Sequence, residues 1–264
     1  MTRSDVPPLP RRLLAELLGT ALLVAVVVGS GIAAEQLSPG DVGLQLLENS
    51  TATVLGLTVL ILLFGPVSGA HFNPVVSLAD WFIGRRAGTG LPLAEVGAYA
   101  VAQVVGAVLG AVLANAMFGV SMALSAKDRA TGPHLLAEVV ATSVLVALIF
   151  GLARTGRGAV AAPAVGAWIG AAYWFTSSTS FANPAVTVGR VFSDTFAGIA
   201  PGSVPGFVGA QVVGLAVGIG ITLALYPDAA ANADDVVVPH PSTDLTRATH
   251  AVDAPTSNRQ ETLP

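Results

Sequence analysis

Two Asn-Pro pairs lie inside apolar sequence, Asn73-Pro74 within "SGAHFNPVVS" and Asn183-Pro184 within "FANPAVTVGR". Asparagine is a preferred N-cap, and proline at the first helical position has no N–H group that would be left without a partner. Each pair therefore predicts the start of a helix. The asparagine amides can donate hydrogen bonds to a neutral solute that carries oxygen lone pairs, so the predicted chemistry is recognition.

The rest of the sequence does not indicate catalytic or metal chemistry. There are no cysteines, which excludes disulfides and thiolate metal sites. No nucleophile–base pair, metal-ligand cluster or phosphate-binding loop appears in a position that would face the Asn-Pro pairs. We therefore expect a protein that is not an enzyme, with no cofactor, no metal and no nucleic-acid partner.

The elements that must position the Asn-Pro pairs are those of a membrane protein. The chain is 53% hydrophobic and only 11% charged, with a mean hydropathy of +0.72, whereas soluble domains carry about 25% charged residues. Six apolar stretches approach the ~20 residues that a spanning helix needs. They occupy about 13–34, 47–67, 94–119, 135–153, 159–178 and 206–226.

Two shorter apolar segments, about 71–83 and 181–192, contain the Asn-Pro pairs and are too short to cross a bilayer. Both resemble re-entrant half-helices, whose irregular flanking backbone survives at membrane depth only where protein or water satisfies it. The expected fold class is an all-α membrane protein with six transmembrane helices and two re-entrant half-helices.

The chain contains an internal repeat. "LLAELLGT" at 13–20 matches "LLAEVVAT" at 135–142, the two Asn-Pro pairs match, and "AQVVG" occurs at 102–106 and at 210–214. Each half, about 12–119 and 134–226, holds three spans and one half-helix, so the second half enters the membrane inverted. Inverted repeats place a site near the bilayer midplane, where the positive dipole ends of both half-helices would oppose a cation.

Arginine and lysine predict the orientation, because cytoplasmic loops carry an excess of both. With both termini cytoplasmic, nine of these residues lie inside and three outside. The inside residues are Arg3, Arg11, Arg12, Arg85, Arg86, Arg154, Arg157, Arg247 and Arg259, and the outside residues are Lys127, Arg129 and Arg190. We expect a multi-pass protein of the plasma or inner membrane, with a short cytoplasmic segment at 1–11, a channel domain at 12–226 and a disordered cytoplasmic tail at 227–264.

These motifs resemble those of the major intrinsic protein family, the aquaporins and aquaglyceroporins, over about residues 12–226. The resemblance rests on "AELLGT", the two Asn-Pro motifs, the repeated "AQVVG" and the span layout. It implies a passive channel embedded in the lipid bilayer, usually a homotetramer with one pore per subunit. Asn73 and Asn183 would be the central pore asparagines. Pro74, Val75, Pro184 and Ala185 complete the two motifs, and valine replaces the usual alanine in the first.

Three further residues match family positions. Glu16 and Glu138 match buried glutamates, and their symmetry favours a role as anchors for the loops that lead into the half-helices, with a proton relay as the alternative. His71 matches a histidine on the cytoplasmic side of the first half-helix. It either lines or gates the pore or is a hydrogen-bonded packing residue.

The family's narrowest point takes one residue from the second span, one from the fifth and two from the second loop. Counted without gaps, these are Thr53, Ala171, Ser180 and Val186, and most relatives have arginine at the last position. Small side chains at Thr53 and Ala171 predict a wide opening, and Val186 removes a fixed charge that helps to repel cations. Arg190 either compensates from further out or forms a headgroup contact or a salt bridge with Asp194, and we favour the second interpretation.

A roomy, uncharged filter resembles that of the metalloid-conducting bacterial aquaglyceroporins. The predicted function is passage of glycerol-like polyols, arsenite or antimonite, and water. The main alternative is a water-selective aquaporin. A gradient-driven secondary transporter is a distant alternative, motivated by the two intramembrane glutamates.

Overall fold

The structure is a computed structural model, and it describes residues 6–85 and 88–227. Within those residues it is entirely helical, without strands. The helices are α1 (Leu9–Leu37), α2 (Val42–Ser68), α3 (Pro74–Gly84), α4 (Leu93–Met117), α5 (Gly132–Arg154), α6 (Ala161–Phe175), α7 (Pro184–Gly189) and α8 (Val204–Leu225), with 3-10 segments at Gly158–Val160, Arg190–Phe192 and Pro201–Ser203.

Six of these helices in the described part of the chain are long and apolar enough to cross a membrane, and α3 and α7 are not. The predicted fold class is therefore confirmed. Helix α1 begins at Leu9, inside the segment 1–11 that was expected to precede the channel domain. The predicted tail at 227–264 lies outside the described residues apart from Pro227.

The spanning helices alternate in direction, which gives the bundle two faces. Near the starts of α1 and α4, Arg12 Nη1 lies 2.7 Å from Glu95 Oε2 in a salt bridge. We call this end the proximal face. At the opposite end, the distal face, Gln45 near the start of α2 donates from Nε2 to the carbonyl of Ser38 just after α1, at 2.9 Å.

The short helices start inside the bundle and run back to the faces from which their loops entered. Along the chain, α3 comes between α2 and α4, and α7 comes between α6 and α8. In space, both short helices pack against α4 and α8. Asn73 and Asn183 are their N-caps in extended conformation, with φ of −154° and −158°. Their Oδ1 atoms accept hydrogen bonds from the N–H of Val75 at 3.1 Å and of Ala185 at 3.0 Å, as the Asn-Pro pattern predicts.

Helices α1 and α4 pack closely through glycines, and α5 and α8 repeat the arrangement. A Cβ atom at Gly110 would lie 2.1 Å from the carbonyl oxygen of Ala21, and one at Gly218 would lie 2.6 Å from that of Ser143. Small residues at such crossings let helix backbones approach closely in a membrane. The two halves of the sequence repeat are therefore built on equivalent crossings.

Candidate pore

A cavity runs along the inside of the bundle and passes the starts of both half-helices. Its wall is mostly apolar and comes from α1, α2, α5 and α6 (Leu23, Val27, Leu57, Ile61, Leu145, Ile149, Val165 and Ile169). Its polar side chains are Thr53, His71, Asn73, Tyr173, Ser180, Asn183 and Arg190. An apolar tube with a few polar groups lets a solute pass without binding it tightly.

The two asparagines face this cavity and tie the two loops together. Nδ2 of Asn73 donates to the carbonyl of Ala182 at 2.8 Å, and Nδ2 of Asn183 donates to the carbonyl of Phe72 at 2.7 Å. Within the described residues these are the hydrogen bonds that the two NH2 groups make, and each uses one of two N–H bonds. The second N–H of each amide remains available to the cavity.

The loops ahead of both asparagines have the same unusual backbone. Three residues in each loop have positive φ, at Gly69 (86°), Ala70 (49°) and Phe72 (49°), and at Thr179 (61°), Ser180 (49°) and Ala182 (47°). Left-handed conformations cost a residue with a side chain about 1–3 kcal/mol and persist only where the surroundings enforce them. Their recurrence at equivalent positions indicates that both loops are held in shape by specific contacts.

Glu16 supplies such contacts to the first loop. Its carboxylate is fully buried and accepts hydrogen bonds from the backbone N–H of His71 (3.0 Å) and of Phe72 (2.7 Å). It also accepts from Oγ of Ser68 (2.6 Å) and from Nε2 of Gln103 (2.8 Å). This is the geometry that a loop anchor requires, because the carboxylate satisfies backbone donors that would otherwise be unpaired.

Glu138 occupies the equivalent place in the second half. It accepts from the N–H of Phe181 at 2.9 Å, from the N–H of Ala182 at 2.8 Å and from Nε2 of Gln211 at 2.7 Å. Gln211 also donates to Oγ1 of Thr187 on α7, at 3.0 Å. Neither glutamate lines the cavity, so both carboxylates are separated from anything that occupies it.

His71 lines the proximal part of the cavity and is 8% exposed. Nδ1 lies 3.0 Å from Oγ of Ser77, and the ring packs edge-on against Tyr99 with centroids 5.5 Å apart. The structure thus combines features of both sequence interpretations, since the side chain is hydrogen-bonded and faces the cavity.

Three of the four predicted filter residues come together at the distal end. Thr53, Ser180 and Val186 all line the cavity. Oγ1 of Thr53 donates to the carbonyl of Asn49 at 2.9 Å, while Oγ of Ser180 is buried without a hydrogen-bond partner among the described residues. The Ser180 hydroxyl has almost no accessible surface, so it does not reach a solute in the cavity.

The structure contradicts the fourth filter prediction, Ala171, which does not line the cavity. It lies on an exposed face of α6, and the residues of α6 that reach the cavity are Val165, Ile169 and Tyr173. Ile169 and Tyr173 are four residues apart and share a face of the helix, whereas Ala171 points away from it. Tyr173 occupies the place expected for Ala171, with its hydroxyl 3.3 Å from Oγ1 of Thr53, so this position is not small.

The structure also contradicts the favoured interpretation of Arg190. The favoured headgroup contact or Asp194 salt bridge is absent from the described residues, since Arg190 is 2% exposed and lines the cavity. The Asp194 carboxylate instead accepts from the N–H of Ala126 at 3.0 Å. Arg190 follows Val186 by one helical turn, so the two residues share a helix face, and this spacing indicates that Arg190 lies near the cavity.

Phe181 also lines the cavity and was not predicted from the sequence. It precedes the Asn-Pro pair by two residues, inside the irregular loop, where no periodicity indicates which way a side chain points. Val75 and Ala185 are buried behind the asparagines, at 2% and 0% exposure. The extra methyl groups of Val75 are accommodated without exposing the side chain.

Comparison with known proteins identifies the family and the fold. Residues 4–180 match the family model described as major intrinsic protein. The chain is 51% identical over 208 residues to aquaglyceroporin AqpS of Rhizobium meliloti (strain 1021), covering 78% of this chain and 86% of that protein. It is 34% identical over 182 residues to a glycerol uptake facilitator protein of Pseudomonas aeruginosa, covering 60% and 62%.

The fold matches the X-ray structure of the aquaglyceroporin from Plasmodium falciparum with a TM-score of 0.57. The match has 20% sequence identity and covers 84% of this chain and 96% of that one. The half-helix pair, the buried glutamates and the sequence matches lead to one assignment. The chain belongs to the major intrinsic protein family, whose members are passive membrane channels and not enzymes.

Proposed function

We propose that the protein is an aquaglyceroporin that passes glycerol-like polyols, undissociated arsenite or antimonite, and water. The observation that carries this proposal is the distal lining. There Thr53 and Tyr173 contribute hydroxyl groups, and Val186 contributes a branched apolar side chain. A solute with hydroxyl groups along one side can exchange hydrogen bonds with the two hydroxyls while its other side slides past the valine.

The named activities of relatives support the same solute class. One protein, 51% identical, is an aquaglyceroporin, and another, 34% identical, is a glycerol uptake facilitator. Undissociated arsenite is a neutral trihydroxy molecule close to glycerol in size and hydrogen-bonding pattern. A lining that accommodates glycerol therefore has the chemistry to accommodate arsenite.

Passage would require a solute to replace water hydrogen bonds at the centre of the bundle. The free N–H of Asn73 and that of Asn183 would donate to solute oxygens there. The N-terminal ends of α3 and α7 carry partial positive charge, which disfavours cations at the same point. The proposed pore therefore favours neutral hydrogen-bond acceptors.

A water-selective channel is the second candidate, and one observation favours it. Tyr173 and Arg190 place two large side chains at the distal end of the cavity, where the sequence alone predicted an unobstructed opening. Swelling of proteoliposomes in gradients of glycerol or arsenite, compared with shrinkage in an impermeant osmolyte, separates the two candidates. Rapid solute-driven swelling supports an aquaglyceroporin, whereas water flux without it supports a water channel.

The same assay separates a channel from a gradient-driven transporter. A passive channel gives flux that rises linearly with the solute gradient and is unaffected by a protonophore. Flux that saturates steeply or stops when the proton gradient collapses would contradict the proposal. The burial of Glu16 and Glu138 behind the loops, away from the cavity, argues against a carboxylate that exchanges protons with the solute path.

We further propose that the channel is a homotetramer in the plasma or inner membrane with its proximal face cytoplasmic. The excess of arginine at that end supports this orientation, because Arg11, Arg12, Arg85, Arg154 and Arg157 all lie there and cytoplasmic loops are rich in arginine and lysine. Large exposed side chains on α2, α4 and α8, such as Leu55, Leu63, Val101 and Val213, give surfaces for lipid and for neighbouring subunits. Cross-linking in membranes and protease access to the C-terminus would test the two points separately.

A further inference from the structure

Arg190 is a buried cation near the distal end of the cavity. Its side chain is 2% exposed and lines the same cavity as Asn183 and Val186. In the part of the chain that the structure describes, the salt bridge found is Arg12–Glu95 at the proximal face, so no carboxylate neutralises Arg190 by direct contact. Unpaired charge at membrane depth is costly and is a sign of function.

Helix geometry directs this side chain toward Val186. Arg190 follows Val186 by four residues, and its backbone N–H donates to the Val186 carbonyl. Residues four apart share a helix face, and side chains lean toward the N-terminal end of the helix. The Arg190 Cα therefore lies about 6 Å further out along the axis, while its side chain reaches back over the turn that carries Val186.

Two contacts fix the guanidinium in place. Its Cζ lies 3.5 Å from the ring centroid of Phe181, and its Nε donates to the carbonyl of Ala197. The Phe181 ring is supported from behind by Phe207, with centroids 5.1 Å apart. Stacking on an aromatic ring holds an arginine without neutralising its charge.

The two terminal nitrogens of Arg190 make no hydrogen bond to any described residue. Guanidinium has five N–H donors, and the contact with Ala197 uses the one on Nε. The remaining donors and the full positive charge are therefore presented to whatever occupies the distal cavity.

We propose that Arg190 is the residue that sets charge selectivity in this pore, as a fixed cation held on Phe181 one helical turn beyond Val186. It repels protons and metal cations while its free donors favour solutes that accept hydrogen bonds. A unit charge a few ångströms from a passing cation, at an effective dielectric constant of about 20, changes the permeation rate by more than about tenfold. The inference goes beyond solute class, because it holds whether the channel passes glycerol or only water.

The test compares proteoliposomes that contain the wild type, Arg190→Gln, Arg190→Lys and the double variant Val186→Arg/Arg190→Gln. Proton leak is followed with an internal pH dye and potassium leak with a potassium-sensitive dye, while glycerol or water flux in the same vesicles reports insertion. The matched control is Lys127→Gln, which removes a cation on the same face. Lys127 is exposed, and its Nζ donates to the carbonyl of Phe196 outside the cavity.

We expect Arg190→Gln to lower the ratio of neutral-solute to cation permeability by more than about tenfold, and Lys127→Gln to leave it unchanged. Arg190→Lys and the double variant should restore the ratio, because each returns a positive charge to the distal cavity. An Arg190→Gln channel that conducts neutral solute or water with an unchanged cation leak would overturn the proposal.

A measurement on the wild type keeps the test decisive if Arg190→Gln does not insert. The reversal potential of the residual ion leak in a salt gradient reports its charge preference. A fixed cation makes that leak prefer anions over cations, so an anion-selective leak supports the proposal and a cation-selective leak contradicts it.

Discussion

Asn73 and Asn183 each hold the other's loop. The amide of Asn73 donates to the carbonyl of the residue just before Asn183, and the amide of Asn183 donates to the carbonyl of the residue just before Asn73, at 2.8 and 2.7 Å. Each asparagine also caps its own half-helix. The two residues therefore fix the mutual position of the half-helices with the same atoms that they offer to the cavity.

Asn183→Asp should reduce both neutral-solute flux and stability. The new carboxylate keeps the cap acceptor but replaces the N–H donor to Phe72 O with an oxygen that repels this carbonyl. The free energy of unfolding should therefore fall by about 1–3 kcal/mol. Asn115→Asp is the control, because Asn115 is a buried amide that donates to Phe192 O at 2.9 Å and does not line the cavity. Asn115→Asp should lower the melting temperature without changing the ratio of glycerol to water flux. An equal change of that ratio in both variants would contradict the role of Asn183.

Val186→Arg should restrict solutes larger than water. A second guanidinium would enter the cavity one turn from Arg190 and lower glycerol and arsenite flux by about tenfold or more, with a smaller effect on water. Val186→Met provides the size control, because it adds length without charge. Stopped-flow swelling measures all three fluxes, and glycerol and arsenite flux that survived Val186→Arg would show that Val186 is not in the filter.

Exchange of residues on α6 tests the correction to the predicted filter. Tyr173→Ala should widen the distal cavity and raise the ratio of glycerol to water permeability about several-fold, because loss of a large side chain weakens discrimination by solute size. Ala171→Leu should leave this ratio unchanged, because Ala171 is exposed on the other side of the helix. The reverse outcome would restore Ala171 as the filter residue.

Glu138→Gln should destabilise the second loop. The carboxylate accepts from the N–H groups of Phe181 and Ala182 with its two oxygens. The glutamine amide replaces one of these acceptors with an NH2 donor, so we expect the free energy of unfolding to fall by about 1–3 kcal/mol. Glu95→Gln is the control, since Glu95 forms a partly exposed salt bridge with Arg12, and its loss should cost less than about 1 kcal/mol.

Thermal unfolding in detergent measures both glutamate variants, and vesicle swelling shows whether the remaining folded channel conducts. Proton-coupled transport predicts that Glu16→Gln or Glu138→Gln abolishes flux in fully folded protein. The anchor interpretation predicts that whatever protein remains folded conducts solute independently of the proton gradient.

Gly110→Ala should disrupt the crossing of α1 and α4. The added methyl would lie 2.1 Å from the carbonyl oxygen of Ala21, and the forced separation should cost about 1–3 kcal/mol. Gly97→Ala, on the same helix with nothing within 4 Å of the added carbon, should be neutral or stabilising by about 0.5–1 kcal/mol. Equal melting temperatures for the two variants would show that the crossing tolerates separation.

Much of the architecture could be predicted from local sequence. The spans followed from apolar length, the half-helix starts from the Asn-Pro caps, and the inverted halves from the repeat that includes Glu16 and Glu138. The cap hydrogen bonds at Asn73 and Asn183 depend on neighbours two or three residues away. The spans and the cap hydrogen bonds depend on a short segment of chain and its solvent, so they can be predicted without knowing which distant segments pack against it.

The distal lining depended on the tertiary structure. The loop between α6 and Asn183 contains three residues with positive φ, so counting back from Asn183 carries no helical phase into α6 and placed Ala171 where Tyr173 lies. Likewise, spacing puts Arg190 on the face of Val186, but its burial depends on the Phe181 ring and the Ala197 carbonyl. The sequence by itself determined the spans, the helix starts and the paired halves, because these follow from local backbone and solvation energetics. Helix rotation and the positions of long side chains were decided only by packing between distant segments.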